Sequence, residues 1–336
     1  MIKPHRTLNI IYFVLLFLCL APGAFAWDSP GHMLVADIAW AQLAAFPLIR
    51  AAIAKILRGA KSNFAPSSNS DDDTRDAFDF AATFPDVLKR NRHTAYEAMV
   101  IEMNANFWPD HQVDPATGNE KDRCKTWHYF DTPIRFTGPK PKIWPSNLLV
   151  AYPQAVEWLK QLKQGNYHGP QFPNITVDDL KFWNLAFILH LAGDAQQPLH
   201  CVSDYKFVQG GDAGGNKFSI NSGELHGLWD AMLVSAATGD GFDIGSVAQA
   251  NGSTAAILAQ VSENWLGQNP TIPFQDLDVK AWVAAGADAA LNIAYKDINP
   301  GDTPTNAYLT KAKIYAKSAG IAGGSRLAAA LVSIFS

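Results

Sequence analysis

The segment His190-Leu-Ala-Gly-Asp194-Ala-Gln-Gln-Pro-Leu-His200 concentrates metal-binding side chains. If residues 179–196 are helical, His190 and Asp194 stand four apart and share one face. An imidazole nitrogen and carboxylate oxygens presented together are donors that a zinc site takes. Pro198 turns the chain, and His200 can reach back toward the same region. His226-Gly-Leu-Trp-Asp230 repeats the His/Asp spacing of four. One such pair alone reads as a buried histidine beside an acid. Two pairs, joined by a glycine-rich loop and accompanied by a third histidine, read as a metal centre.

Other elements fit the same chemistry. Trp127-His128-Tyr129 sets a histidine between aromatic side chains that can supply a ligand and a dry wall. Asp86, in Thr-Phe-Pro-Asp, follows an apolar patch and can face inward, although by spacing alone it is a helix-start acid. Trp27-Asp-Ser-Pro-Gly-His32 is the most unusual stretch. If the chain is cut before Trp27, the freed α-amino group and its carbonyl can chelate a metal. His93, His111 and His168 lie in polar or proline-rich surroundings and read as surface residues.

That cut is expected. Lys3, His5 and Arg6 precede an apolar run from Ile10 to Leu20, and Ala24-Phe25-Ala26 is a small-x-small cleavage site. This is the layout of a secretory signal peptide over residues 1–26, which directs the product to the periplasm or the exterior. No later stretch reads as a membrane span. Cleavage leaves 336 − 26 = 310 residues, read as one domain over 27–336 with a monomer as the default. Lys3 and Arg6 leave with the signal, so 27 basic residues fall to 25 against 31 acidic ones, net −6. That balance argues against a basic groove for duplex nucleic acid. It does not argue against a site whose positive charge comes from metal. Cys124 and Cys201 remain in an oxidising compartment and are expected to form a disulfide. Asn174 and Asn251 head glycosylation triplets, relevant only in a eukaryotic host.

The elements that must position these residues read as helices joined by long loops. Ser29-Pro30 suits an N-cap and first helical position, leading into Met33–Ala44. Further helices are expected over 48–57, 94–106, 148–164 and 179–196, and from 306 to the C-terminus. Residues 61–73 read as a surface loop, 107–147 as irregular, and the glycine-rich 203–224 as a loop or short hairpin. Few runs alternate with period two, so the fold class is all-α.

Taken in order, these residues resemble the zinc-dependent single-strand nuclease family of fungi, plants and bacteria. The resemblance rests on Trp27-x4-His32, Asp86, Trp127-His128-Tyr129, His190-x3-Asp194-x5-His200, Asp212-Ala-Gly-Gly-Asn216 and Leu225-His226-x2-Trp229-Asp230. Residues 319–328 resemble the family's final helix. The resemblance implies three zinc ions in a mainly helical fold. Asp86, His128, His190 and Asp194 would hold the first; His200, His226 and Asp230 the second. The third would take the amino nitrogen and carbonyl of Trp27, His32 and the far side of Asp194. Asp86, Lys89 and Asp194 would serve catalysis, while Tyr129, Asp131 and Asn216 would contact substrate. The implied activity is endonucleolytic hydrolysis of single-stranded DNA and RNA to 5′-phosphate products, with 3′-nucleotidase activity left open. Departures are Gln196 for a histidine, Glu224 for an asparagine, Lys89 for an arginine, and Phe84-Pro85 for Trp-Ala. They bear on substrate grip rather than on metal binding, because lysine offers a point charge where arginine offers two prongs.

The bacterial zinc-dependent phospholipase C family is the nearest rival. The five-residue step from Trp27 to His32 and an aspartate, not a glutamate, at position 230 weigh against it. A non-catalytic zinc-binding protein would need metal positions closed by protein ligands, whereas nine residues serving three ions leave room for water.

Overall fold

The computed structural model describes residues 27–60, 65–90, 124–143, 147–172, 175–245, 255–268 and 276–336. The expectations for the signal segment, the 94–106 helix, His93, His111, Asn174 and Asn251 lie outside them. Among the described residues the architecture is helical: α1 (Ser29–Gln42), α2 (Pro47–Gly59), α3 (Asp71–Ala81), α4 (Phe84–Arg90), α5 (Leu148–Gln164), α6 (Val177–Asp194), α7 (Leu225–Asp230), α8 (Met232–Gly239), α9 (Ala255–Gln268), α10 (Val279–Ala289) and α11 (Asn306–Phe335). Two small strand pairs complete it. β1 (Thr132–Ile134) runs parallel to β2 (Val202–Asp204), and β3 (Ser219–Ile220) pairs antiparallel with β4 (Gly223–Glu224) as a short hairpin.

Caps explain where the main helices begin. The Asp28 carboxylate accepts from Gly31 N at 3.1 Å, so α1 is capped one residue before the expected Ser29. Thr176 and Asp179 form a reciprocal capping box at the start of α6. The run 61–73, read as a loop, ends inside a helix: Ser70 caps α3 and Asp71, Asp72 and Asp73 fill its first turn. Carboxylates there face the positive end of the helix dipole, so the acidity signalled a helix start rather than a loop.

α1 is buried continuously from Pro30 to Trp40, and α6 from Phe182 to Asp194. One apolar cluster gathers Phe182, Trp183, Phe187 and Trp127; the other gathers Trp229, Leu233, Trp265 and Tyr308. α1 and α11 contribute to both. Gly324 of α11 meets Ile38 of α1 so closely that no Cβ fits between them.

α11 corrects the expectation about spans: by length and composition it could cross a bilayer, yet 67% of its most apolar stretch is buried within the fold. The expected disulfide is also not formed. Cys201 is a buried, unbridged thiol whose Sγ faces Gln197 O at 3.5 Å and Ala195 O at 3.7 Å, and burial pushes its pKa up. An unanticipated buried charge cluster joins α1, α3 and α9. Arg75 makes a two-pronged ion pair with fully buried Asp37, which also accepts from Ser262 Oγ. Burial, and then Asp37, push the neighbouring Asp79 carboxyl well above its ordinary value.

Candidate metal centre

The helical spacing of four works as expected in α6. His190 and Asp194 point the same way, with His190 Nε2 3.2 Å from Asp194 Oδ2. His190 Nδ1 donates to Ala82 O at 2.7 Å, which turns Nε2 inward and ties α6 to the segment before α4. Through that tie Asp86, in the first turn of α4, comes within 3.6 Å of His190 Nε2. A 3₁₀ turn over Lys125–His128 brings His128 Nδ1 to 2.8 Å from His190 Nε2 and 3.0 Å from Asp194 Oδ2. Donor atoms from three elements therefore converge on one point.

On the other side of Asp194 lies α1, with His32 Nε2 3.5 Å from Asp194 Oδ1 and its ring stacked on His190 at 3.7 Å. Trp27 anchors the start of this arm: its indole is fully buried and Nε1 donates to Gly193 O at 2.9 Å. The remaining set forms beyond the turn at Pro198. His200 Nδ1 donates to His128 O at 2.8 Å and His226 Nδ1 to Gly214 O at 2.6 Å. Both bonds leave Nε2 facing Asp230, at 3.9 and 3.5 Å respectively. Gly214, at φ 62°, presents that carbonyl from a backbone turn where an added Cβ would strike Leu199 O.

Three groups thus bring ligand atoms within 4.8 Å of one another: His32 with His190 and Asp194; Asp86 with His128 and His190; His200 with His226 and Asp230. All nine candidate ligands are under a tenth exposed. Their electrostatics fit cation binding. Burial pushes Asp194 up to about 6 and Asp230 well above the carboxylate range, while it pulls His32 down to about 3, His200 to about 4, and His128 well below normal. Neutral imidazoles are the form that binds metal. Asp86 differs: burial raises it, but Lys89 Nζ at 2.6 Å and the neighbouring histidines hold it well below its usual value. Both nitrogens of His32, Asp194 Oδ1 and Asp230 Oδ2 are buried with no hydrogen-bond partner. Such atoms are costly to bury alone, and cations bound in these groups would give one His32 nitrogen and both carboxylate oxygens a partner. The residues fit a bound metal.

The S1/P1 nuclease family model matches residues 27–336. The chain belongs to the S1/P1 nuclease family. Endonuclease 5 and Endonuclease 2 of Arabidopsis thaliana are each 29% identical to it over 160 residues, 45% of this chain and 51% of theirs. Endonuclease 4 of the same plant is 28% identical over 160 residues, 45% of this chain and 50% of its own. The chain spans about half the length of the curated relatives it matches.

Around the three groups, the S1/P1 chain sets its other candidate residues differently from one another. Tyr129 and Asp131 follow His128 directly and lead into β1, half-buried. Burial, with Asp212 nearby, pushes Asp131 up to about 7. Lys89 sits on Asp86, so its charge is shared with that carboxylate. Asn216 turns its amide inward on its own loop, donating to Ala213 O at 2.7 Å. Gln196 accepts from Arg326 of α11 at 2.5 Å, which ties the turn after α6 to the final helix. Sequence reasoning missed the role of Gln197. It is fully buried, donates to Asp230 Oδ1 at 2.7 Å and accepts from Leu199 N at 2.5 Å. Its place between candidate ligands Asp194 and His200 was the available signal.

Proposed function

We propose that this S1/P1 family chain is an exported, zinc-dependent phosphodiesterase that cuts single-stranded DNA and RNA to 5′-phosphate ends. The observation that carries the reading is the convergence of buried nitrogen and oxygen ligand atoms from α1, α4, α6, α7, the Lys125–His128 turn and the turn at Pro198, with His32, Asp86, Asp194 and Asp230 all presenting buried atoms that have no hydrogen-bond partner. Nitrogen and carboxylate donors without thiolate suit zinc in an open, catalytic setting.

Asp86, His128, His190 and Asp194 would hold one ion, and His200, His226 and Asp230 a second. The third would take the backbone of Trp27, His32 and the other oxygen of Asp194. Bound zinc supplies Lewis acidity at the phosphate and lowers the pKa of a coordinated water to about 7. The chain's own residues do the rest. Asp194 faces His190 and His128 with one oxygen and His32 and His200 with the other, so it is the side chain that would hold two of the ions in common. The Lys89 ammonium keeps Asp86 ionised. Tyr129 offers a ring for stacking and Asp131 a carboxyl for a base edge, which favours unpaired strands because a duplex must unstack to present a base.

Burial of the Trp27 indole, and a family match that starts at residue 27, support cleavage after Ala26 and therefore export. The test is hydrolysis of single-stranded DNA and RNA beside phosphatidylcholine, using protein that starts at Trp27. Nucleic-acid cleavage to 5′-phosphate ends, lost with a chelator and restored by zinc, is expected. Choline-phosphate release without nuclease activity would transfer the chain to phospholipid chemistry.

A further inference from the structure

One surface beside the metal groups combines rings and cations that the site itself does not use. β2 continues directly from His200, and its exit, Tyr205-Lys206-Phe207, is held against β1 by Tyr205 N donating to Ile134 O at 3.1 Å. Gly210 and Gly211, both at φ 87°, turn the loop back. Gly211 lies so close to Ser203 Oγ and the Tyr205 ring that a Cβ there would strike both. The Tyr205 ring is therefore pinned, half-buried and within electrostatic reach of Asp131. Phe207 is 42% exposed, packed edge-on to Phe218 with ring centroids 5.8 Å apart, and Lys206 Nζ lies 4.4 Å from its centroid.

Charge on this surface favours a polyanion. Arg135 and Asp204 neutralise one another in an ion pair. Lys206 and Lys217 are the exposed cations, and Lys217 also faces Asp131. An exposed phenylalanine kept beside a lysine is the stacking platform and phosphate contact that a single strand takes without base reading. Asp131, just before β1, interacts electrostatically with both Tyr205 and Lys217, which ties this surface to the residues beside the metal groups.

We propose that Tyr205, Lys206 and Phe207 form a flanking-nucleotide subsite, in which Phe207 stacks a second base and Lys206 contacts its phosphate. The proposal rests on the nuclease reading and extends it: substrate longer than a dinucleotide gains binding on this loop.

The experiment compares kcat/KM for a hexanucleotide and a dinucleotide in the zinc-loaded protein starting at Trp27. Taking the ratio cancels differences in folded or metal-loaded fraction. Phe207→Ala is expected to lower the hexanucleotide-to-dinucleotide ratio roughly tenfold, the modest end of a base on an aromatic ring, and Phe207→Trp to hold or raise it. Lys206→Ala is expected to flatten the salt dependence of hexanucleotide binding by about 0.7 in the log–log slope, the value for one phosphate of a single strand. A Phe207→Ala ratio within twofold of the parent overturns the subsite while leaving the nuclease reading standing. A parent protein that cleaves neither oligonucleotide overturns both.

Discussion

Gln197→Ala perturbs the metal centre without touching a ligand. Gln197 is fully buried, and its amide holds two partners at once: Asp230 Oδ1 at 2.7 Å and Leu199 N at 2.5 Å. Alanine leaves a buried backbone N–H and a buried carboxylate oxygen without those bonds, and the void is too enclosed to supply them freely. Each unsatisfied group costs about 1–3 kcal/mol, so with two such groups the metal-free protein should lose roughly 2–6 kcal/mol of unfolding free energy. The candidate ligand Asp230 also loses the contact that fixes its orientation. Partners of this kind are worth roughly 10–100-fold in metal affinity or activity. Competition with a chromogenic chelator should show that drop for one ion, the one held by His200, His226 and Asp230. Gln197→Glu separates the two bonds: it retains an acceptor for Leu199 N but sets a second carboxylate against Asp230, and should bind that ion no better than alanine does. Zinc affinities within twofold of the parent, with an unfolding change below about 1 kcal/mol, would refute the assignment.

Three further outcomes are expected. Arg75→Ala removes the countercharge of Asp37, whose side chain is fully buried; urea unfolding should register a loss of about 3–5 kcal/mol, and a change under 1 kcal/mol would dismiss the pair as structural support. Burial holds the Asp131 carboxyl protonated up to about 7, so, in the proposed substrate-contacting role, it would present a neutral group below that pH and an anion above it. KM for single-stranded DNA should therefore rise as pH passes upward through about 7, and Asp131→Asn should remove that step; a parent profile flat across the region contradicts it. Asp194→Asn should abolish turnover while circular dichroism still reports the helices, and near-parental kcat would remove Asp194 from the mechanism.

What could be read in advance was mostly what is local. His190 with Asp194, and His226 with Asp230, needed only helical periodicity, and the structure places both pairs in helices. The all-α class followed from the scarcity of period-two runs. Asp86 was invisible to spacing because its position depends on a tertiary bond, His190 Nδ1 to Ala82 O, across 108 positions. The same holds for Arg75 and Asp37, which are 38 positions apart. The α3 start was misread because Asp71–Asp73 suit both a solvated loop and a first helical turn, and only the Ser70 cap decides between them. The disulfide argument used compartment and an even count. It could not foresee that the turn after α6 directs the Cys201 thiol toward the carbonyls of Ala195 and Gln197.

The most direct test of the central claim is a crystal of the zinc-loaded protein starting at Trp27, measured at the zinc absorption edge for anomalous scattering. Three peaks are predicted: one among Asp86, His128, His190 and Asp194, one beside His32 and the Trp27 backbone sharing Asp194, and one among His200, His226 and Asp230. Scattering absent from these groups, or an Asp194 carboxylate that touches no ion, would contradict the account.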